Sequence, residues 1–166
     1  MPHPLDDYWP WNRALRVYPF APPASDELQL AVSALGCAEE AHEILDAVAT
    51  HAPREALLSE LGDLLWYIVR LADQRTLPAD ELYTAFDRPA PKPDLAAAAA
   101  NVAGSAKKLI RDGTAARAIV LKGHLLTLAE HLAGAIRIHG FTLDEVARYN
   151  RTKVDTRFGP RANKPA

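Results

Sequence analysis

Two clusters of carboxylate residues occur in the first half of the chain, each inside an apolar segment. The first is Glu39-Glu40-x-x-Glu43, and Glu60-x-x-Asp63 follows it 17 residues after Glu43. Residues three or four positions apart share one face of a helix, so each cluster would present a pair of carboxylates on one side. A short connection between the two helices would fold them back antiparallel and bring the acidic pairs into opposition.

Carboxylates gathered in this way repel one another, and without a counter-charge some of them would have to stay protonated. A divalent cation removes this conflict. Mg²⁺ takes oxygen ligands and is commonly held by one or two carboxylates together with substrate phosphates. The pattern therefore predicts a metal site for a phosphorylated substrate, with Mg²⁺ as the cofactor and Mn²⁺ able to replace it.

The alternative for each acidic pair is a solvated helix face. A polar stripe at helical spacing fits that alternative, and it comprises Glu60, Asp63, Tyr67, Arg70 and Gln74. The joint pattern favours a site, because Gly62 lies between Glu60 and Asp63. A glycine inside a helix costs about 1 kcal/mol relative to alanine and usually has a packing or functional reason. Gly36 repeats the feature on the first acidic helix.

Four segments of the chain resemble the MazG-like, all-α nucleoside triphosphate pyrophosphohydrolases. "LGCAEEAHEILDAV" and "ALLSELGDLLWYIVRLA" resemble the acidic EExxE and ExxD helices of that family. "AKKLIRDG" resembles a basic segment found in many members, and "TLDEVARYNRTKVDTRFG" resembles the closing segment, an Asn-x-x-Lys then Arg pattern. The resemblance spans roughly residues 28–158. It implies hydrolysis of a nucleoside triphosphate to the monophosphate and pyrophosphate.

The resemblance also implies a role for each matching acidic residue. The expected metal ligands are Glu40, Glu43, Glu60 and Asp63. Glu39 is adjacent to Glu40 but about 100° further round the helix. It is therefore the carboxylate expected to orient or deprotonate the attacking water.

Basic and aromatic residues are expected to contact the nucleotide. The expected phosphate-binding residues are Lys107, Lys108, Arg111, Asn150, Lys153 and Arg157. An alternative for the first three is that they are cations in the last turn of a helix ended by Gly113, where they favour the helix dipole. The residues that could stack on the base are Trp66, Trp9 and Trp11, although a tryptophan at helical spacing is more typical of a core.

An offset of 64 residues aligns the two halves of the chain. It places three leucines at helical spacing over three others: Leu57, Leu61 and Leu64 over Leu121, Leu125 and Leu128. The carboxylates are not repeated, because Glu40, Glu43, Glu60 and Asp63 fall opposite Gly104, Lys107, His124 and Thr127. We therefore hypothesise a tandem pseudo-dimer, a single-chain version of a fold whose simpler relatives dimerise. The first half would supply the metal ligands and the second half the phosphate-binding cations, and the whole chain is expected to form a homodimer or a higher homo-oligomer.

The helical signals predict an all-α, antiparallel bundle of five to six helices in one compact domain. Residues 1–24 are expected to form an irregular, Pro- and aromatic-rich arm with about one turn of helix. An acidic repeat at 25–86, an extended Pro-rich linker at 87–94 and a basic repeat at 95–158 follow, and 159–166 are expected to be a disordered tail. Asp94 and Gly113 should bound one helix, and Thr142 with Glu145 should form a capping box for the last.

Global composition narrows the class of protein. The chain has 166 residues, of which 49% are hydrophobic and 24% charged, and a net charge of −2. This balance gives no electrostatic reason to expect nucleic acid or a membrane as a partner. No stretch is expected to span a membrane, no secretion signal is evident, and a cytoplasmic location is expected. The single Cys37 excludes an intrachain disulfide and is expected to be a small buried hydrophobe.

Two other functional classes fit parts of the pattern. A di-iron carboxylate bundle needs a Glu-x-x-His motif from each of two helices, and the chain offers only Glu39-x-x-His42. The other class is a non-catalytic helical bundle that binds nucleotide or regulates a partner. Loss of the acids from the second half is compatible with that class, whereas their retention in the first half argues for catalysis.

Overall fold

The computed structural model describes residues 2–15 and 25–158, and within these ranges it contains seven helices and no strand. The helices are α1 (Tyr8–Ala14), α2 (Asp26–Ala49), α3 (Arg54–Gln74), α4 (Ala79–Phe86), α5 (Leu95–Asp112), α6 (Ala115–Ile138) and α7 (Leu143–Phe158). The all-α prediction is confirmed. The tail predicted for 159–166 lies outside the described residues, as do residues 16–24 of the arm.

Local capping signals set helix boundaries, and Asp94 and Gly113 bound α5 as predicted. The Asp94 side chain accepts a hydrogen bond from the Ala97 N–H at 2.9 Å, and Gly113 ends the same helix with a φ of 64°. A glycine is favoured there because this left-handed conformation is strained for residues with a Cβ. The Thr142 and Glu145 side chains bond to each other's backbone N–H, which confirms the capping box.

The arm contains more helix than its sequence predicted. Pro10 does not break any hydrogen bond of α1. It lies in the first turn, where a backbone N–H has no partner within the helix. Contacts with the body hold this short helix in place. Trp9 Nε1 donates to Asp73 at 3.2 Å, and Asn12 Nδ2 donates to the Trp66 carbonyl at 3.2 Å.

The helix contacts follow the division of the chain into two halves. Within each half the long helices pack as a pair, α2 with α3 and α5 with α6. Between the halves, α2 packs on α5 and α3 on α6. The last helix of each half packs on the other half, because α4 contacts α6 and α7 contacts α3. These contacts map onto themselves when α2, α3 and α4 are exchanged for α5, α6 and α7, which matches the 64-residue offset.

The core is centred on α3 and α6. Of the six aligned leucines, Leu57 is partly buried and the other five are fully or almost fully buried: Leu61, Leu64, Leu121, Leu125 and Leu128. Contrary to the sequence expectation, α6 is long and apolar enough to span a membrane by length and composition alone. Core helices of globular proteins pass the same test, and the buried leucines give α6 an apolar face without a bilayer.

The proline-rich linker lies directly on α6. The Ala90 N–H donates to the Glu130 carbonyl at 2.8 Å, and the Asp94 N–H donates to His131 Nδ1 at 2.7 Å. Gly134 permits this approach, because a Cβ at that position would lie 2.3 Å from the Ala90 carbonyl oxygen. The linker is therefore packed against the body along part of its length.

Two glycine substitutions in α6 test this packing. Gly134→Ala should lower the free energy of unfolding by about 1–3 kcal/mol, because the linker backbone must move. Gly123→Ala is the matched control, since a Cβ there meets nothing within 4 Å, and it should raise the free energy of unfolding by up to about 1 kcal/mol. Urea unfolding of both variants measures the difference, and equal effects would contradict the linker contact.

Candidate active site

Three carboxylates from two helices converge at one place. Glu40 on α2 and Glu60 and Asp63 on α3 each offer an oxygen, and these atoms all lie within 4.8 Å of one another. The three residues are half-buried. Glu43 is exposed but lies within hydrogen-bonding reach of Glu60. The structure thus brings the predicted acidic residues of the two helices together, with Glu43 at the margin.

Two glycines allow the neighbouring helices to approach this carboxylate trio. A Cβ at Gly36 on α2 would lie 2.4 Å from the Tyr67 ring on α3. A Cβ at Gly62 would lie 2.8 Å from the Asn150 Cβ on α7. Contacts under 3.0 Å force a shift, so both glycines have the packing reason that their positions inside helices suggested.

Asp63 is held by two residues from α7. Asn150 Nδ2 donates to Asp63 Oδ1 at 2.8 Å. The Lys153 ammonium forms an ion pair with Asp63 Oδ2 and donates to Ser59 Oγ at 2.8 Å. Asn150 is completely buried and also accepts a hydrogen bond from the Tyr8 hydroxyl at 2.7 Å. In this structure both ends of the Asn150 amide are therefore engaged, Nδ2 with Asp63 and Oδ1 with Tyr8, and its predicted contact with phosphate stays a prediction.

The electrostatics of Glu40 and Glu60 favour protonation of these two carboxyls when no cation is bound. Burial, followed by the nearby charges of Asp63, Glu43, Glu60 and Glu39, raises the pKa of Glu40 to about 8. Burial and the charges of Asp63 and Glu43 also raise the pKa of Glu60. Among the described residues, nothing hydrogen-bonds to the buried Oε2 of Glu40. An oxygen donor set with an unpartnered buried oxygen fits a hard divalent cation.

A pocket of about 350 Å³ opens beside the trio. Its lining combines carboxylates, cations and aromatic rings: Glu40, Asp63, Trp66, Tyr67, Lys153, Val154, Arg157 and Phe158. Negative and positive side chains therefore face one space that also has an apolar wall. Such a space can take a ligand with a phosphate group at one end and a flat apolar group at the other.

The basic residues of α5 lie away from this lining. Lys107 borders an apolar groove between α2 and α5 together with Leu35 and Ile110. Lys108 is exposed, and Arg111 is also exposed and bonds to its neighbour Asp112 at 2.6 Å. None of these three cations lines the pocket beside the carboxylates, and their predicted role with phosphate stays a prediction.

Of the three tryptophans and Glu39, only Trp66 lines the pocket beside the carboxylates. Trp66 lines the pocket but is only 6% exposed. Trp9 is buried against α3, and Trp11 Nε1 donates to Asp155 at 3.1 Å. Neither of these two borders the pocket. Glu39 is exposed and is outside the trio.

Sequence reasoning missed two residues that bond to the site residues, Tyr8 and Ser59. Tyr8 belongs to the arm and lies 142 residues from its partner Asn150. No local pattern marks such a contact. Ser59 directly precedes Glu60, so its proximity to the site could have been found from the helix, although its bond to Lys153 could not.

The raised pKa of Glu40 predicts a pH dependence of stability in the absence of metal. The native state binds more protons than the unfolded chain between the ordinary pKa of 4.5 and about 8. The contribution of Glu40 to stability is therefore present below about pH 4.5 and is lost as the pH rises to about 8. In EDTA, Glu40→Gln should gain melting temperature relative to the unmodified chain as the pH is raised from 5 to 8. A difference that stays constant over this range would contradict the burial of an uncompensated carboxyl.

Comparison with known protein families finds a match to the acidic half of the chain. Residues 31–85 match the family model of the MazG nucleotide pyrophosphohydrolase domain, a segment that contains the whole carboxylate trio and ends before α5. Neither the curated proteins nor the solved structures contain a significant match to the chain. At the level of the family, the match supports a nucleotide pyrophosphohydrolase activity. Residues 31–85, which carry both acidic helices, thus match the MazG nucleotide pyrophosphohydrolase domain, the family that those helices resemble in sequence.

Proposed function

We propose that this protein is a metal-dependent pyrophosphohydrolase that cleaves a nucleoside or deoxynucleoside triphosphate to the monophosphate and pyrophosphate. The observation that carries the proposal is the pocket in which Glu40 and Asp63 face Lys153 and Arg157. A release assay for pyrophosphate, run over a panel of NTPs and dNTPs with Mg²⁺ and Mn²⁺, tests it. Tight nucleotide binding without release would instead support the non-catalytic class.

The residues proposed to hold the metal are Glu40, Glu60 and Asp63, with Glu43 completing the set beside Glu60. Their oxygens suit Mg²⁺, and Mn²⁺ accepts the same ligands. When bound, the cation polarises phosphate oxygens and lowers the pKa of a coordinated water. His42 is exposed and is not part of the trio, so the described residues offer no histidine of the kind a di-iron site requires.

The chain's own residues would supply the rest of the chemistry. Lys153 already lies against Asp63, so its charge is placed to meet a phosphate that arrives with the cation. Arg157 is one helical turn further along α7 and borders the same pocket. Glu39 is exposed next to Glu40 and is proposed to orient or deprotonate the attacking water.

The base is proposed to contact the aromatic wall of the pocket. Trp66 packs edge-on against Tyr67, with ring centroids 4.8 Å apart, and its low exposure leaves little area for stacking. Tyr67 and Phe158 are half-buried and line the same space. They are therefore better placed than Trp66 to receive a base.

We further propose that the two halves form a tandem pseudo-dimer with one competent site. The exchange symmetry of the helix contacts supports this arrangement. In the second half, His124 falls opposite Glu60, and its Nδ1 lies 2.6 Å from Ser105 Oγ on α5. A hydrogen bond between α5 and α6 thus occurs where the first half has its carboxylates. Titration with a non-hydrolysable nucleotide and Mg²⁺ should give about one site per chain, and how many chains associate stays a prediction.

Substitution of Glu60 tests the metal site. Glu60→Gln is nearly isosteric and removes ligand charge without creating a cavity. It should abolish pyrophosphate release and reduce the gain in melting temperature produced by Mg²⁺ or Mn²⁺, which for the unmodified chain corresponds to about 2.7 kcal/mol at 100 times the dissociation constant. A variant that keeps more than about a tenth of the kcat, a barrier change below about 1.4 kcal/mol, would show that Glu60 is not a ligand.

A pair of cation variants tests where the phosphates lie. Arg157→Ala should raise KM for the nucleotide by about tenfold, because it removes a cation from the pocket lining. Lys107→Ala is the matched control from the other groove, and KM should stay within about twofold. Steady-state kinetics with saturating Mg²⁺ measures both. The reverse result would support the sequence hypothesis that α5 contacts the phosphates.

A further inference from the structure

A buried polar network joins the arm to the carboxylate trio. Asn12 and Asn150 are completely buried, and Tyr8 is 2% exposed. Asn12 donates to the Trp66 carbonyl at 3.2 Å and lies within hydrogen-bonding reach of the Tyr8 hydroxyl. Tyr8 donates to Asn150, which donates to Asp63. The network thus runs from α1 through α7 to a side chain of the site on α3.

The chemistry of the groups fixes the direction of every bond in this network. Asn150 Nδ2 donates to Asp63 Oδ1, and an amide donates only through its NH₂ group, so this group faces Asp63. Its carbonyl oxygen then faces Tyr8, which has to donate. Burial and the charge of Asp63 raise the pKa of Tyr8, so the hydroxyl keeps the proton that this bond requires.

Apart from Asp63 and Tyr8, no partner hydrogen-bonds to the Asn150 amide among the described residues. Its Cβ packs against Gly62, where a Cβ would lie 2.8 Å away, so the backbone position is set but the amide can still rotate about χ2. Lys153 anchors the other oxygen of Asp63. Rotation of the Asn150 amide would therefore remove the hydrogen bond to Asp63 Oδ1 and leave the carboxylate held by α7 through Oδ2 alone.

We propose that Tyr8 is a positioning residue for the metal site, because its hydroxyl locks the Asn150 amide and thereby the Asp63 carboxylate. This inference rests on the proposed function, in which Asp63 is a metal ligand. Partners that orient a ligand typically change metal affinity or activity by about 10–100-fold when they are removed. An aromatic residue of the arm, outside the segment that matches the family, would then set the metal affinity of the acidic half.

Mn²⁺ binding without nucleotide, measured by calorimetry, tests the proposal. Tyr8→Phe keeps the ring and removes the hydroxyl, and it should weaken Mn²⁺ binding about tenfold. Tyr83→Phe is the matched control. The Tyr83 hydroxyl lies within hydrogen-bonding reach of Asp6 in the arm, so Tyr83→Phe removes a contact between the arm and the body outside the network, and its Mn²⁺ affinity should stay within about twofold.

A double-mutant cycle separates positioning from general stability. Asn150→Ala should weaken Mn²⁺ binding at least as much as Tyr8→Phe. Adding Tyr8→Phe to Asn150→Ala should cause no further loss, because Tyr8 acts only through that amide. A loss that is additive in the double variant would overturn the proposal, and so would unchanged affinity in either single variant.

The outcomes also separate this inference from the proposed function. If the unmodified chain binds Mn²⁺ and releases pyrophosphate while Tyr8→Phe binds Mn²⁺ equally well, the positioning role alone is overturned. If the unmodified chain binds no Mn²⁺, the metal site and the positioning role fall together. Should Tyr8→Phe not fold, Asn150→Ala with unchanged Mn²⁺ affinity would still overturn the proposal.

Discussion

Repulsion between partly desolvated carboxylates is the constraint on which this structure depends. Glu40, Glu60 and Asp63 are brought within 4.8 Å of one another, and burial makes their charges more costly than they would be in water. The fold meets that cost in two ways. Asp63 receives an ammonium and an amide from α7, whereas the raised pKa values of Glu40 and Glu60 let these two carboxyls give up their charge more readily. Helix α7 thus supplies the groups that offset the negative charge on α3. The absence of a side chain at Gly62 lets α7 pack closely enough on α3 to do so.

The two halves share the same pattern of helix contacts but differ in the side chains that those contacts bring together. Exchange of α2, α3 and α4 for α5, α6 and α7 preserves the principal contacts, so the scaffold does not require acidic residues. Where the first half gathers carboxylates, the second has Ser105 bonded to His124. Neither of these two residues is a carboxylate, so the pair needs no cation to offset repulsion between acids, and this half can be stable without a ligand. The contrast favours a division in which one half does chemistry and the other completes the core.

Local sequence signals predicted most of the fold and the centre of the site. Contacts between residues far apart in sequence could not be predicted. Helical spacing placed Glu40 beside Glu43 and Glu60 beside Asp63, and caps such as Asp94 and Gly113 marked helix ends, because these depend on neighbours within a few residues. The side chains that orient Asp63 could not be predicted, since Asn150 is 87 residues away in sequence and no local rule says which face of α7 meets α3. For the same reason the sequence grouped Lys107 with the site although it borders a different groove.

The bond between Tyr8 and Asn150 spans 142 positions of the chain, and this separation has a consequence for biosynthesis. All three carboxylates have been made once α3 is complete, yet the amide that orients Asp63 and the ammonium that pairs with it belong to α7. Contacts so distant in sequence form late, because the entropy of closing a long loop must be overcome first. A growing chain would therefore carry its acidic residues for most of translation without the partners that arrange them, and the completed site would appear only when the two ends of the fold meet.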